Sequence, residues 1–183
     1  MMNKSVKLGI QGRPDVPPRL FDLVPRYIEK YGYKDCLFAG KVNKQWVKYD
    51  GKKFYEITNS ISYGLLKLGV KKGDRIALIA NNAPEWNMID FAIQQVGAIC
   101  IPIYPTISHD DYKYIFNHSE ASIAFFTNKY LYSKVADIIA DIPTIKETYL
   151  IRASEDMKSL QDLIDLGNEN KDVDTLEARM AEV

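Results

Sequence analysis

At 183 residues, with 46% hydrophobic and 26% charged residues, the chain has the composition of a globular protein with one substantial core. Twenty-four Lys and Arg residues balance 24 Asp and Glu residues, so no overall charge draws the chain to nucleic acid or to an anionic membrane. Because no apolar run is long enough to span a bilayer and no signal peptide is recognisable, we expect a cytoplasmic protein with no transmembrane segment and no nucleic-acid partner.

The cysteines and histidines are few and scattered. Cys36 and Cys100 each lie within an apolar stretch, which predicts two reduced thiols in the core and no disulfide. His109 and His118 are nine residues apart on one predicted helix, so they face different directions. We expect no metal site, because metal ligands have to converge on one point.

The N-terminal part of the chain begins without regular periodicity. Residues 1–18 contain several Gly and Pro residues and predict an extended arm, whereas residues 19–183 are expected to form a single α/β domain. The first helix is indicated by apolar residues at helical spacing, after which Gly32 is the stop. These apolar residues are Leu20, Leu23, Val24, Tyr27 and Ile28.

A hairpin and a long helix are predicted next. Two short apolar runs, 36–39 and 45–49, are separated by a turn sequence and indicate a small β-hairpin. From residue 50 to residue 68, apolar residues recur every three or four positions. This periodicity predicts an amphipathic helix, and Gly69 is its C-terminal cap.

The rhythm changes after residue 74 to short apolar strands separated by helical stretches. The candidate strands begin near Arg75, Ile99, Ser122 and Thr148, at intervals of 24, 23 and 26 residues. An interval of that length fits one strand plus one crossover helix and is too long for hairpins, so the strands should be parallel. Their apolar runs lack alternation, which is typical of a parallel sheet flanked by helices on both faces.

The segment Asn81–Trp86 follows the first of these strands. Asn82 is predicted to cap the next helix, with Glu85 three positions later completing a capping box and Pro84 in the first turn. A functional interpretation is also open, because ligands bind at the carboxyl ends of parallel strands. Glu85 argues against an anion there, since its carboxylate would already occupy the positive helix end. The helix should then bury one stripe, formed by Trp86, Ile89, Ile93 and Val96.

No segment of the chain contains an assembled active site. Residues 64–71 match the glycine spacing of a phosphate loop, but Val70 replaces the required Lys. Ser108, His109 and Asp110 are adjacent and fit a helix cap. They do not fit a catalytic triad, because the members of a triad have to converge in space. The 12 tyrosines are not interleaved with basic residues on a strand, which favours packing over base stacking. We therefore nominate no catalytic residue and no metal ligand.

Four phrases in order resemble the opening of the adenylate-forming superfamily, specifically long-chain fatty-acid CoA ligases (acyl-CoA synthetases). They are GDRIAL at 73–78, NNAPEW at 81–86, GAICIPIYPT at 97–106 and YIFNHSEA at 114–121. The resemblance extends from about Leu20 to the C-terminus, and it depends on the order and spacing of the phrases. One departure lies at residues 48–53, where the family more often has Thr-Tyr before the helix.

The resemblance implies that the complete enzyme forms acyl-AMP and pyrophosphate from a fatty acid, ATP and Mg²⁺, then transfers the acyl group to CoA. It places this chain in the N-terminal part of a larger adenylate-forming domain. The family's Ser/Thr/Gly-rich loop ending in Pro-Lys-Gly, its later motifs and its C-terminal domain have no counterpart in these residues. We therefore expect an inactive fragment without a cofactor of its own, and ATP, Mg²⁺ and CoA belong to the full-length enzyme.

Residues just beyond predicted strand ends are the ones expected nearest to substrate. They are Asn81, Asn82, Tyr104 and Thr106. Two other functions remain open at this point: a free-standing α/β module that binds a nucleotide or flavin, and a non-catalytic interaction domain. A homodimer, assembled through the arm and the first helix, is compatible with the second of these.

Overall fold

The structure is a computed structural model that describes residues 19–42 and 44–183. The predicted extended arm, residues 1–18, lies outside the described residues. The chain divides into two compact units, one ending at Glu56 and the other spanning Ile57–Val183, and each is described separately. That residues 19–183 form one α/β domain stays a prediction.

The first unit contains the predicted helix and hairpin. Its elements are a 3-10 turn Leu20–Asp22, α1 Leu23–Tyr31, β1 Phe38–Val42 and β2 Gln45–Tyr49. α1 ends at Gly32, whose φ of 70° lies in the left-handed region that glycine adopts most readily. β1 and β2 pair antiparallel, and the Phe38 ring stacks on Phe54 at a centroid distance of 4.4 Å. The predicted helix and hairpin are confirmed, but the first strand begins two residues later than the predicted run 36–39 and extends to Val42.

Helices and parallel strands alternate in the second unit. The long helix α2 Gly51–Lys67 begins before the division and ends within this unit. The strands are β3 Arg75–Ile79, β4 Ile99–Ile103, β5 Ile123–Phe126 and β6 Glu147–Leu150. The helices that follow them are α3 Pro84–Gln95, α4 His109–Ser119, α5 Lys129–Ser133, α6 Ala136–Asp141, α7 Leu160–Glu169 and α8 Val173–Ala181.

The four strands form one parallel sheet in the order β4-β3-β5-β6. The parallel direction predicted from the strand spacing is confirmed. The chain leaves β3 toward β4 on one side, then crosses back over β3 to reach β5 and continues to β6. This change of direction between β3 and β5 decides where the ligand-binding edge of such a sheet lies.

Both faces of the central strands are covered by packed side chains. Ala77, Phe126 and Leu150 lie on one face in a core cluster with residues of α4, α5 and α6. On the opposite face the Phe125 and Tyr149 rings stack at 5.6 Å, and α3 packs against β3 and β4. Strand β4 is an edge strand, however, so the prediction of complete coverage is wrong there, and Ile99 is 49% exposed.

The two cysteines occupy different environments, and both are free thiols. Cys100 is half-buried on β4, where burial and the nearby carboxylate of Asp90 raise the pKa of its thiol. Cys36 lies before β1 and is exposed, with its sulfur 3.4 Å from the Phe38 carbonyl oxygen. The prediction of a core thiol is therefore wrong for Cys36. This residue lies before β1, which begins at Phe38, and its side chain is not buried by the hairpin.

The C-terminal helices pack against the rest of the second unit. Leu176 of α8 is 2% exposed, and α8 contacts α3. The Arg179 guanidinium donates to the Val96 carbonyl at 3.3 Å and to the Val70 carbonyl at 3.5 Å, so it binds unpaired carbonyls beyond the ends of two helices. Packing of this kind stabilises a polar helix that would be marginal alone.

No helix within 19–42 and 44–183 combines the length and apolar character needed to cross a bilayer.

Candidate functional site at the carboxyl edge of the sheet

The carboxyl ends of β3 and β5 lie side by side where the strand order changes direction. The register pairs Ile79 with Phe126, the last residue of each strand. Loops leaving two such strands diverge to opposite faces, which opens a crevice between them. Polar residues follow both strands closely: Asn81 and Asn82 come after β3 and Ala80, and Thr127 and Asn128 come directly after β5.

A hydrogen bond joins the two loops across this crevice. The backbone N–H of Asn81 donates to the Thr127 hydroxyl oxygen at 2.9 Å. The backbone N–H of Thr127 in turn donates to the Ile79 carbonyl at 3.1 Å, which extends the β3 ladder by one residue. Asn128 is not free to rearrange, because its side chain accepts from the Leu131 N–H at 3.0 Å and caps α5.

The helix after β3 begins differently from the sequence prediction. α3 starts at Pro84 with Ala83 as its N-cap residue, and no side chain caps it. The predicted capping box between Asn82 and Glu85 is therefore wrong. Asn82 is exposed one residue before the cap, and the Glu85 carboxylate binds a guanidinium instead. The predicted apolar stripe is buried at Ile89, Ile93 and Val96, whereas Trp86 is only half-buried.

The Glu85 carboxylate pairs with Arg152, which follows β6. The guanidinium Nη1 lies 2.7 Å from Oε1 and Nη2 lies 3.4 Å from Oε2, a two-point contact. The Glu85 side chain is 11% exposed and the Arg152 side chain 38% exposed. The pair neutralises the Arg152 guanidinium and puts a carboxylate in the first turn of α3, so this helix end does not present a free positive charge to an anion.

The other two predicted residues follow β4 at the same edge. Ile103 pairs with Ile79 in register, so the β4 loop leaves the sheet beside the β3 loop. Tyr104 is 80% exposed, while its backbone carbonyl accepts from the Tyr112 hydroxyl at 3.1 Å. Thr106 is exposed in the turn that leads to α4. The fold thus brings Asn81, Asn82, Tyr104 and Thr106 to one end of the sheet.

Two residues of this edge were missed from the sequence. Thr127 comes directly after the β5 run IAFF, and Arg152 comes two residues after the end of β6, as Asn81 does after β3. The rule that selected Asn81 would therefore have selected both residues. What the sequence does not contain is the pairing of Arg152 with Glu85, because 67 residues separate them along the chain.

Ser108 and His109, which are adjacent in sequence, bind different partners and do not form a nucleophile with its base. The Ser108 hydroxyl donates to Asp111 at 2.6 Å and belongs to a capping box at the start of α4. His109 instead contacts Asp137 at 2.9 Å, and this hydrogen bond lowers the pKa of the Asp137 carboxyl. Throughout the part of the chain that the structure describes, no cluster of three His, Cys, Asp or Glu residues could hold a metal ion.

A parallel sheet covered on both faces, with a change of direction at its carboxyl edge, defines the class of doubly wound α/β proteins. A family described as AMP-binding enzyme matches residues 25–180. The chain belongs to the AMP-binding enzyme family, as its resemblance to adenylate-forming enzymes predicts.

Long-chain fatty-acid CoA ligases are among its relatives. The chain is 35% identical over 91 residues to the long-chain-fatty-acid–CoA ligase FadD15 of Mycobacterium bovis, covering 50% of this chain and 15% of that protein. It is 24% identical over 160 residues to the long-chain-fatty-acid–CoA ligase ACSBG2 of Rattus norvegicus, covering 84% of this chain and 24% of that protein. The chain thus spans between 15% and 24% of the length of these two relatives.

Solved structures of the same class have this fold. A long-chain-fatty-acid-CoA ligase, FadD1, from Archaeoglobus fulgidus superposes with a TM-score of 0.70 at 22% identity, covering 81% of this chain and 30% of that chain. The likeness confirms the predicted α/β fold, in which helices flank a parallel sheet and a small hairpin precedes it.

Proposed function

We propose that this chain is the N-terminal scaffold of a long-chain fatty-acid CoA ligase. The complete enzyme would convert a fatty acid and ATP to acyl-adenylate and pyrophosphate, then transfer the acyl group to CoA. The observation that supports this proposal is the edge between β3 and β5, where polar loops meet at the change of strand direction. An edge of this kind is where parallel α/β sheets bind a substrate. The relatives reported above are named as long-chain fatty-acid CoA ligases.

The residues at the edge do not fit the triphosphate that the family implies. A phosphate-binding site requires several backbone donors or free cations that converge on one point. Here Arg152 is bound to Glu85, and the first turn of α3 carries a carboxylate. We therefore derive no catalytic step from these residues. We assign the binding site for ATP and Mg²⁺ to polypeptide other than this chain. CoA, as the acceptor, is likewise a substrate of the complete enzyme.

Asn81, Asn82, Tyr104 and Thr106 are proposed to lie near substrate in the complete enzyme. All four come at the carboxyl end of the sheet, and their side chains carry amides and hydroxyls suited to orienting a bound molecule. The proposed setting is the cytoplasm, because the two cysteines are free thiols.

A chimera tests the proposal. Residues 25–180, which match the family, replace the equivalent part of the Mycobacterium bovis ligase, to which 91 residues of this chain align. Acyl-CoA formation from palmitate, ATP and CoA is then measured. We expect the chimera to retain activity within about tenfold of the parent enzyme, since the scaffold is shared and the chemistry is supplied by the rest. The isolated chain should form no thioester. A chimera that has the parent's circular dichroism spectrum but forms no acyl-CoA contradicts the proposal.

The same chimera tests the edge residues. Asn82→Ala and Thr106→Ala should each lower kcat/KM by about tenfold, because each removes one polar contact to substrate. Glu177→Ala is the control: this residue is exposed on α8, away from the edge, and its replacement should leave kcat/KM unchanged. Equal effects of the three replacements would remove the reason for placing substrate at this edge.

A further inference from the structure

The zero net charge of the chain conceals a strongly basic segment. Residues 30–53 contain seven lysines and two aspartates, a net charge of +5. The lysines are Lys30, Lys34, Lys41, Lys44, Lys48, Lys52 and Lys53. A local field of this size acts within a Debye length of the surface even when the whole chain is neutral.

The hairpin of the first unit concentrates part of this charge on one face. The register places Lys41 opposite Trp46 and Ala39 opposite Lys48, and all four are exposed. The alternate residues, such as Phe38 and Tyr49, are half-buried and form the other face. Lys44 is exposed at the turn. We call the exposed face, formed by Lys41, Lys44, Trp46 and Lys48, the basic hairpin face.

Trp46 is out of place on a water-exposed surface. The residue is 63% exposed, although an indole gains free energy when its ring leaves water. The Lys41 amine lies 5.1 Å from the ring centroid, which holds a positive charge beside the indole. Among the residues that the structure describes, Lys41, Lys44 and Lys48 form no ion pair with a carboxylate. The face therefore offers three uncompensated amines around one exposed indole.

We propose that the basic hairpin face docks onto an anionic lipid surface. Tryptophan is enriched at the headgroup level of membranes because its ring is apolar and its N–H is polar. Lysines beside it attract anionic headgroups, each contributing about 1 kcal/mol near the surface. A single indole with neighbouring amines matches this combination, and the docking would bring the chain to a water-insoluble substrate. That last benefit rests on the proposed function, whereas the docking itself rests on the hairpin alone.

A nucleic acid is the other polyanion that such a face could bind, but the geometry favours lipid. Single strands are bound by several aromatic side chains on which successive bases stack. The basic hairpin face has one aromatic ring, and the Lys41 amine already lies beside it. The combination of Trp46 and Lys48 on β2 also corrects the sequence interpretation, which found no aromatic and basic residues interleaved on a strand.

Tryptophan fluorescence measures the docking on the full chain. Trp86 is replaced by Phe so that emission reports on Trp46 alone. Vesicles of phosphatidylcholine with phosphatidylserine should shift the emission to shorter wavelength, and vesicles of phosphatidylcholine alone should not. Added NaCl should weaken binding, because it screens exposed charges. No ligase substrate is present, so failure here would leave the chimera result unaffected.

Charge-matched variants test whether the face itself binds. Replacing Lys41, Lys44 and Lys48 by Gln should weaken binding to the anionic vesicles by about 100-fold. This figure follows from the loss of about 1 kcal/mol of binding free energy for each lysine near the membrane surface. The control replaces three exposed lysines of the second unit, Lys71, Lys113 and Lys171, by Gln and should change binding less than about threefold.

Three results would each overturn the proposal. The first is an unshifted Trp46 emission with anionic vesicles. The second is equal weakening by the two lysine triples, since binding would then depend on total charge rather than on the hairpin. The third is tighter binding of a single-stranded DNA oligonucleotide than of anionic vesicles, which would assign the face to nucleic acid.

Discussion

Replacing Gly167 by Ala is expected to destabilise the second unit by about 3 kcal/mol, although alanine is the better helix former by about 1 kcal/mol. A Cβ added at Gly167 would lie 1.8 Å from the Ser60 carbonyl oxygen and 2.8 Å from the Gly64 nitrogen. Both are backbone atoms of α2, so no side-chain rotation relieves the overlap. The helices α2 and α7 would have to separate.

Separation would also disrupt the contacts that surround the crossing. A Cβ at Gly64 would lie 2.5 Å from the Leu163 carbonyl oxygen, so the two helices approach closely at both glycines. The Ser60 hydroxyl donates to Asn168 at 2.7 Å, and Leu163 is fully buried beside it. Packed interiors have few voids, so a shift of one helix costs these contacts together.

Urea denaturation followed by circular dichroism measures the effect of Gly167→Ala. Glu169→Ala, an exposed replacement near the end of the same helix, is the control and should change the free energy of unfolding by less than about 0.5 kcal/mol. If Gly167→Ala left stability unchanged or raised it, as helix propensity alone predicts, the close crossing of α2 and α7 would be wrong.

Arg152→Ala is expected to lower the free energy of unfolding by about 2 kcal/mol. The replacement leaves the Glu85 carboxylate, which is 11% exposed, without its cation. Losing one partner of a fully buried pair costs about 3 to 5 kcal/mol, and the 38% exposure of Arg152 reduces that figure. Glu85→Ala should cost less, because the more exposed guanidinium can be solvated.

A double-mutant cycle separates the ion pair from its surroundings. The variant carrying both replacements should be more stable than the sum of the two single effects predicts, by about 1 kcal/mol. Arg26→Ala provides the matched control, since it breaks an exposed pair with Glu29 at 2.9 Å and should cost about 0.5 kcal/mol or less. Additive effects of Glu85→Ala and Arg152→Ala would mean that the contact does not stabilise the edge.

The parallel sheet was predictable because its signal is local. Each strand start recurs after one strand and one helix, an interval that hairpins do not produce. The order β4-β3-β5-β6 was not predictable, because the side on which each new strand adds depends on packing between distant residues. The edge residues Asn81 and Tyr104 could be named from strand ends, and the same rule would have selected Arg152, whereas its pairing with Glu85 could not be predicted because 67 residues separate the two.

The errors made from sequence have a common physical origin. Asn82 and Glu85 have the spacing of a capping box, but a partner 67 residues away binds the Glu85 carboxylate instead. Gly64 drew attention only through the glycine spacing of residues 64–71, and the close crossing of α2 and α7 explains why Gly64 and Gly167 are glycine. Net charge averaged over the chain likewise hid the basic hairpin face. In each case the outcome depends on how the chain folds, which neither a local pattern nor an average over the sequence contains.

Titration of ATP into the isolated chain tests most directly whether these residues form a scaffold that has no nucleotide-binding site of its own. Isothermal calorimetry with ATP and Mg²⁺, and in parallel with FMN, should give no saturable heat at concentrations up to about 1 mM. The same titration of the chimera with ATP should give a saturable signal. Saturable binding of either ligand by the isolated chain, with thermal stabilisation to match, would contradict the account and favour a free-standing nucleotide- or flavin-binding module.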